Sequence, residues 1–452
     1  MLKKIADLIV DHMFFIGLGF FAFASYWTVA QKNRKQKIAK KFLEKAIKTN
    51  SDEPLTLHPI VDSAKCMGCG ACTRVCPEGD ILQMINHKAV LVTPTKCVGH
   101  GECEAACPFD AIELVFGTKT RGMDIPRLTS HYETNIEGLY IAGELGGMGL
   151  IRNAIKQGVL AGQHAITNLN SKIKADYDLF IVGSGPAGLA LSLAAIAAHA
   201  KYRTIEQNSF GGTVKNFPRQ KIVMSHPADL PLVGKMIFAK NKISKEALLT
   251  YWDDIRKQTG LHISENEQFE SLEKSDGRFT VKTNRGKYTA RKVILAMGVR
   301  GSPRRLGLSN EDLPKVTYNL LDPAQYQGRN IAIVGGGNSA LEAAEQLCKK
   351  KYGNRVTLIV EGANMDRAND ENIDKVEMLQ RNGFLHIWFN SQVKEIEPDS
   401  ISIERAGVLA KLENDFLFLF IGAEYPHKFL MSLGIQIEKQ FGKKLSGSKK
   451  PA

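Results

Sequence analysis

Cysteine is almost missing from most of this chain: Cys348 stands alone, and the other seven of the eight thiols fall between Cys66 and Cys107. That distribution excludes a disulfide framework spread through the fold, and thiols grouped for metal indicate a reducing compartment. Charge is missing from residues 13–30, MFFIGLGFFAFASYWTVA. The aromatic interleaving of a nucleic-acid surface is missing too. Eight Lys or Arg lie between Lys32 and Lys48, and Lys443, Lys444, Lys449 and Lys450 sit in the tail, with no nucleic-acid-binding motif around them. Nucleic acid is therefore not an expected partner, despite a net charge of +13. At 452 residues and 44% hydrophobic content the chain is globular and too long for one core; about 150 residues per domain gives roughly three domains.

The charge-free stretch predicts one transmembrane helix. At 1.5 Å per residue its eighteen residues cover about 27 Å, near the ~30 Å hydrocarbon core. Tyr26 and Trp27 stand where interfacial aromatics belong. Lys3 and Lys4 are offset by Asp7 and Asp11, whereas the downstream flank is strongly positive, so the positive-inside rule puts everything after Lys32 in the cytoplasm. A cleaved signal peptide would export metal-binding thiols, and its charges would precede the span. A buried core helix is the other reading of so short a span. Residues 38–47 continue as a basic amphipathic helix suited to anionic lipid or to solvent. The expected location is the cell inner membrane, single-pass, with the bulk of the chain cytoplasmic and the membrane as a partner.

The clustered thiols read Cys66-x2-Cys69-x2-Cys72-x3-Cys76-Pro77 and Cys97-x5-Cys103-x3-Cys107-Pro108. Three cysteines on a tight loop wrap one face of an iron–sulfur cubane, while the fourth, just before proline, crosses to the other cluster. One 4Fe–4S cluster should use Cys66, Cys69, Cys72 and Cys107. The second should use Cys76, Cys97 and Cys103, with His100 where the run would otherwise place a cysteine. An odd ligand count, the two prolines and two unequal copies fit neither disulfides nor structural zinc. Residues 61–117 resemble a bacterial two-cluster ferredoxin, including the hairpin-like tails CPEGDILQMINHKAVLV and CPFDAIELVFG. His100 is the departure from it. Either its imidazole ligates iron in a 4Fe–4S cluster, or that corner is empty and a 3Fe–4S cluster results; a loop histidine that only hydrogen-bonds a sulfide is the third reading.

After a polar bridge, NLNSKIKADY, comes DLFIVGSGPAGLALSLAA. An apolar strand runs into Gly183-x-Gly185-x-x-Gly188 and an alanine-rich helix. Gly183 allows the tight turn, Gly185 lets backbone approach a pyrophosphate, Gly188 permits close helix–strand contact, and the helix N-terminus faces the phosphate charge. The next strand, KYRTIEQ, ends in Glu206, suited to a ribose hydroxyl pair. The unit repeats at NIAIVGGGNSALEAAEQL, with Gly335, Gly337 and Ala340, and RVTLIVEG supplies Glu361.

Two such units resemble the two-nucleotide flavoprotein reductases of the thioredoxin reductase type. The resemblance extends through SFGGTVKNFPR, with Gly211, Gly212 and Thr213, through KVILAMG ending at Gly298, and through DFLFLFIGAEYP. It implies FAD on the first fold, at Gly183, Gly185, Gly188, Glu206, Gly212, Thr213 and Gly298. It implies NAD(P)H on the second, at Gly335, Gly337, Ala340 and Glu361. Glu361 stands where NADPH-dependent relatives carry a basic cluster, which favours NADH. The CxxC pair of thioredoxin reductases is missing, and Cys348 in EAAEQLCKK reads as an ordinary packed thiol.

The string YETNIEGLYIAGELGGMGLIRNAIKQG precedes the FAD fold, yet it resembles the segment that closes that fold in the same family. Gly143-Glu144 would be its Gly-acid pair, with Glu in place of the family's aspartate, and a helix starting near Leu150 would point its N-terminus at the flavin. That order implies a circular permutation. The expected fold class is α/β, with two Rossmann-like (FAD and NAD(P)) domains, a small α+β two-cluster ferredoxin domain and one N-terminal transmembrane helix. Residues 1–48 form the anchor and basic juxtamembrane helix and 58–117 the iron–sulfur domain. Residues 118–301, completed by 412–445, form the FAD domain, and 302–411 the NAD(P) domain.

A flavin beside two clusters splits electron pairs into single electrons. The expected function is a membrane-anchored FAD and iron–sulfur oxidoreductase passing electrons, in either direction, between NAD(P)H and an external carrier. That carrier would be ferredoxin-like, a quinone or a membrane complex; no side chain need act as acid or base, and a homodimer is allowed. Two alternatives stand beside it. One is a small-molecule disulfide reductase with the clusters as a second electron entry; the other is a non-enzymatic, redox-responsive membrane partner protein.

Overall fold

The computed structural model describes residues 2–48, 53–54, 57–120, 122–147, 149–224, 227–299 and 303–444. The chain divides into two compact units, Met1–Val115 and Phe116–Ala452. The expected junction at residues 301 and 302, and the tail residues Lys449 and Lys450, lie outside the described residues.

The first unit begins with a 47-residue helix, α1 (Leu2–Lys48). Strand β1 (His58–Val61) pairs antiparallel with a later strand, β4 (Ile112–Phe116), and β2 (Leu82–Ile85) and β3 (Lys88–Leu91) form a hairpin. Asn86 and His87 turn that hairpin at φ of 50° and 61°, the left-handed pair a two-residue type I′ turn demands. The second half of α1 packs there: Ala39 and Ala46 are buried, Gln36 donates to Asn86 Oδ1 at 2.8 Å, and Lys32 Nζ lies 3.2 Å from His87 Nδ1. Ala39, Leu43 and Ala46 of residues 38–47 therefore face protein, while Ile38, Phe42, Ile47 and the lysines between them stay exposed.

The expected membrane span is corrected. Among the described residues, no helix is long and apolar enough to cross a membrane. Residues 13–30 are free of charge, but Gly17, Gly19, Ser25, Tyr26, Trp27 and Thr28 interrupt their apolar character. Freedom from charge is a weaker condition than the sustained apolarity a bilayer demands. The transmembrane element of the fold class, the inner-membrane location and the membrane as partner all fall with it.

In the second unit, β5 (Met123–Pro126) pairs antiparallel with Ile437–Gln440. Next come β6 (Leu139–Ile141), α2 (Ile151–Thr167), β7 (Tyr177–Val182), α3 (Pro186–Ala197) and β8 (Tyr202–Glu206). Strands β8 and β7 and the strand Gly286–Leu295 lie side by side and parallel, with Leu179, Phe180, Ile181 and Val182 buried, as a sheet covered on both faces requires. On the far side of Gly286–Leu295 sits β6, also parallel, with Val293 opposite Leu139 and Leu295 opposite Ile141. The strand that precedes β7 in sequence thus occupies the closing position of the sheet. Proline at the start of α3 supplies a helical φ without wasting an N–H.

The second nucleotide fold is a five-stranded parallel sheet in the order Val316–Thr317, Phe416–Leu419, Asn330–Val334, Arg355–Ile359, Leu385–Trp388. The helix Asn338–Leu347 buries Ala340, Leu341 and Ala344 against Ile331, Ile333 and Leu358.

Helices α2 and α3 touch through glycine: a Cβ on Gly158 would lie 2.5 Å from the Ala187 carbonyl oxygen. Gly158→Ala thus sets a helix-propensity gain of about 1 kcal/mol against a backbone clash of about 1–3 kcal/mol. The clash is with main chain and cannot relax by a rotamer. We expect net destabilisation in denaturant titrations of FAD-loaded protein; a stabilised variant would show that the helices separate freely.

Candidate functional site

The first dinucleotide turn follows from what its glycines exclude. Gly183 sits at φ +104°, its added Cβ would meet the Ala296 carbonyl oxygen at 2.5 Å, and a Cβ on Gly188 would stand 1.9 Å from the Gly183 oxygen. Gly185, by contrast, has no atom within 4 Å of its would-be Cβ, so its backbone is open to a pyrophosphate. Glu206 closes β8 and is 6% exposed. One of its oxygens accepts from Ser184 N at 2.9 Å and Ser184 Oγ at 3.0 Å, and the other from Asn208 N at 3.2 Å. A carboxylate has about four lone-pair sites, so this carboxylate braces the turn and keeps capacity for ribose hydroxyls.

Distant segments converge on that turn. A Cβ on Gly212 would be 3.1 Å from Gly185 Cα, and one on Gly298 would be 3.9 Å from Thr213 Oγ1. A Cβ on Gly143 would be 3.3 Å from Ala187 Cβ, in the first turn of α3. The closing segment therefore reaches the FAD turn, as the permuted order requires. Glu144 lies beside Gly149, whose Cβ would be 3.1 Å from Glu144 Oε1, and its carbonyl faces Tyr425 Oη at 3.5 Å. Helix α2 starts at Ile151 with no side-chain cap, which sets the positive end of its dipole at this segment. These residues fit FAD.

At the second fold Gly335 has φ +139° and its Cβ would meet the Phe420 carbonyl oxygen at 2.5 Å, with Ala340 Cβ at 3.2 Å. Gly337 is open and caps the helix Asn338–Leu347 without a side chain. Glu361, exposed just past the strand Arg355–Ile359, accepts from Gln392 Nε2 at 2.6 Å. Cys348 is buried in this domain's core, and burial pushes its thiol up to about 12.

In the first unit, Cys66, Cys69, Cys72 and Cys107 line one pocket, and Cys76, Cys97, His100 and Cys103 line another. The last cysteine of each run, Cys76 and Cys107, lines the other set's pocket. Burial raises the Cys72 thiol, and the neighbouring Cys66, Cys107 and Cys69 raise it further; burial pushes Cys97 up to about 11 and Cys103, beside Cys97, to about 12. Raised in this way the thiols stay neutral without metal, whereas iron bound there would draw them into the thiolate form. Among the described residues no three His, Cys, Asp or Glu side chains converge on one ion; thiolates that surround a multi-iron cluster enclose a space instead of a point. His100 Nε2 stands 3.7 Å from Glu78 Oε1.

Sequence reading missed Ser184 and Gln392. Ser184 was visible as an unspecified position of the glycine fingerprint; Gln392, on a strand 31 residues after Glu361, had no local signal at all.

The profile of the pyridine nucleotide-disulphide oxidoreductase family matches residues 180–446, and that of the 4Fe-4S dicluster domain matches residues 58–108. The bacilliredoxin reductase Bdr of Bacillus subtilis is 27% identical over 268 residues, 58% of this chain and 82% of that protein. A ferredoxin–NADP reductase of Ignicoccus hospitalis is 28% identical, with the same shares covered, 58% and 82%. The solved bacillithiol disulfide reductase Bdr (YpdA) of Staphylococcus aureus superposes with a TM-score of 0.54 at 26% identity, covering 58% of this chain and 81% of that one. The expected function is corrected accordingly. With no described helix able to cross a membrane, the membrane-anchored electron-transfer role does not hold, and the similarities favour the disulfide reductase reading. The chain belongs to the pyridine nucleotide-disulphide oxidoreductase family: it is an FAD- and NAD(P)H-dependent oxidoreductase fused to a small ferredoxin-type domain.

Proposed function

We propose that the chain reduces the disulfide of a small thiol at the expense of NAD(P)H. One observation carries this reading. The nucleotide-binding unit holds a single cysteine, Cys348, packed in a core, so there is no dithiol to relay electrons to a protein substrate and the disulfide must meet the flavin directly. Relatives named for bacillithiol disulfide and bacilliredoxin reduction support the same chemistry. The overall balance is NAD(P)H, one proton and RSSR giving NAD(P)+ and two RSH. Bound FAD supplies the two-electron transfer between them. The chain's part is to orient: Gly183, Gly185, Gly188, Gly212, Thr213 and Gly298 cradle the flavin nucleotide, and Gly335, Gly337 and Ala340 hold the nicotinamide nucleotide. The α2 N-terminus stabilises negative charge, and no side chain acts as acid or base.

The first unit is a second entry for electrons. Cys66, Cys69, Cys72 and Cys107 hold one 4Fe–4S cluster; Cys76, Cys97 and Cys103 hold the other, with His100 at its fourth corner.

A small-molecule disulfide should accelerate anaerobic NADH oxidation at least about tenfold over the rate without it, equivalent to ~1.4 kcal/mol of barrier, and Cys348→Ser should leave that rate unchanged. No acceleration, with ferricyanide still reduced, would sink the disulfide reading. NADH should exceed NADPH in kcat/KM, because a carboxylate held by Gln392 repels a 2′-phosphate. Equal values, or better ones with NADPH, would remove Glu361 as the reader of the ribose. For the second cluster, His100→Cys should give a stable 4Fe–4S signal by electron paramagnetic resonance, and His100→Ala a 3Fe–4S signal. An Ala variant spectrally identical to the parent would take the imidazole off the iron.

A further inference from the structure

The two cysteine sets of the first unit sit in opposite surroundings. At the first set, Lys88 Nζ donates to the Cys66 carbonyl at 2.7 Å and Arg74 Nη1 to the Cys69 carbonyl at 3.3 Å. Lys65 precedes Cys66, its Nζ 3.6 Å from Asp62 with both side chains in solvent, and Asp110 is the other acid there. At the second set, Glu78 and Glu102 line the pocket, Glu104 follows Cys103, and Lys96 is the opposing cation. The basic stretch of α1 adds to the first set. Lys32 Nζ lies 3.2 Å from His87 Nδ1, and a Cβ on Gly68, between Met67 and Cys69, would be 2.3 Å from the His87 carbonyl oxygen. The stretch that starts there carries eight exposed Lys or Arg through Lys48, with Glu44 as its one acid.

The first set is also the one at the surface. Cys69 is exposed, whereas the other six cysteines of the unit are buried or half-buried. Met67 and Phe109, which line the same pocket, are 69% and 45% exposed. A small apolar centre with a charged rim is the build of a transient electron-transfer interface, which buries less than about 1,200 Å² and is steered by opposite charge.

We propose that this face, Met67, Cys69 and Phe109 rimmed by Lys65, Arg74 and the basic stretch of α1, is the docking surface of an acidic one-electron carrier protein. The proposal rests on the first unit being a second entry for electrons, and it names what enters there. Each encounter oxidises one carrier by one electron; two electrons and two protons turn RSSR into two RSH. The carboxylates at the second set repel the same partner, so the carrier meets the exposed Cys69 edge.

The test uses the full holoprotein without oxygen. Reduced flavodoxin, an acidic one-electron carrier, is mixed with it in a stopped-flow instrument and the bleaching of iron–sulfur absorbance is followed, with the methyl viologen radical cation as control donor. The second-order rate with flavodoxin should fall at least about tenfold between ~20 mM and ~300 mM salt, as screening shortens the reach of charge. Lys35→Glu with Lys65→Glu should lower it at least about fivefold at low salt, while methyl viologen reduces this variant no more slowly than the parent. Lys235→Glu with Lys287→Glu, exposed positions of the second unit, makes the same change in net charge and should keep the parent's rate. A flavodoxin rate indifferent to salt, or lowered equally by both double variants, would overturn the proposal. So would a parent that binds anionic vesicles while flavodoxin leaves its clusters oxidised, or one that shows no cluster by electron paramagnetic resonance. Should the Lys35→Glu, Lys65→Glu variant not fold, the parent's salt dependence decides. Salt-dependent cluster reduction with no disulfide consumed supports the docking surface and sinks the disulfide reading instead.

Discussion

Between Gly158 in α2 and the carbonyl of Ala187 in α3 there is no room for a methyl group, a would-be Cβ falling at 2.5 Å. Everything at the flavin end follows from that approach. It continues one turn on, where Gly162 would meet Leu191 at 3.2 Å, so the two helices run together over the sheet. Because α2 is held this close, Gly143 reaches Ala187 and Gln157 is sealed from solvent beneath the turn. Strand β6 then takes its place beside Gly286–Leu295, and Leu139 and Ile141 join Phe180, Val182, Val293 and Leu295 in one core. Burial of these side chains, at roughly 1.5–3 kcal/mol each, is what holds a three-residue strand in the sheet.

The helix starts are of two kinds. Lys245–Thr259 and Asp370–Arg381 are capped by side chains, Ser244 accepting from Ala247 N and Asn369 from Asn372 N. Helices α2, α3 and Asn338–Leu347 have no side-chain cap. A missing cap costs about 0.5–2 kcal/mol, and among the longer described helices it falls on those that follow the glycine turns and the Gly143 segment. The positive end of each such helix is the end a phosphate or an electron-rich ring would face. The short helices Ala71–Val75, Glu102–Ala105 and His427–Ser432 also lack a side-chain cap, so an open N-terminus alone does not mark a nucleotide site.

Much of this was legible before any coordinates. The glycine fingerprints were readable because each glycine answers a steric demand a few residues away: Gly188 faces the Gly183 carbonyl, and Gly335 the strand end at Phe420. The cysteine runs were readable because the crossing of Cys76 and Cys107 is written in spacing alone. The closing role of residues 139–167 was readable from a local string. Contacts across sequence were not: nothing near Glu361 announces Gln392, and nothing near Gly143 announces that an amide fourteen residues on will hold its N–H. Helix α1 misled for a related reason. Lack of charge over residues 13–30 is a local property, while the burial of Ala39 and Ala46 beside a hairpin is a tertiary one.

The order of the FAD segments changes how the fold is assembled. The family profile begins inside β7, at residue 180, and leaves residues 139–167 unmatched, although they complete the same sheet. With the closing segment placed first, α2 passes to β7 through residues 168–176 only, so the helices that cradle the flavin become neighbours in sequence. A short loop lowers the entropy of closing that contact, and local contacts form sooner than distant ones. The cost moves to the pair formed by β5 and Ile437–Gln440. Its register, Pro126 opposite Ile437 and Met123 opposite Gln440, must be found across about 310 residues, where a hairpin turn would otherwise fix it. The flavin-facing half of the domain therefore depends on nearby chain, and its far edge on chain that arrives last. The N–H of Gly442 meeting the Phe116 carbonyl at 2.9 Å extends that late pairing to the very first residue of the unit, so the strand that closes the edge also fixes where the domain begins.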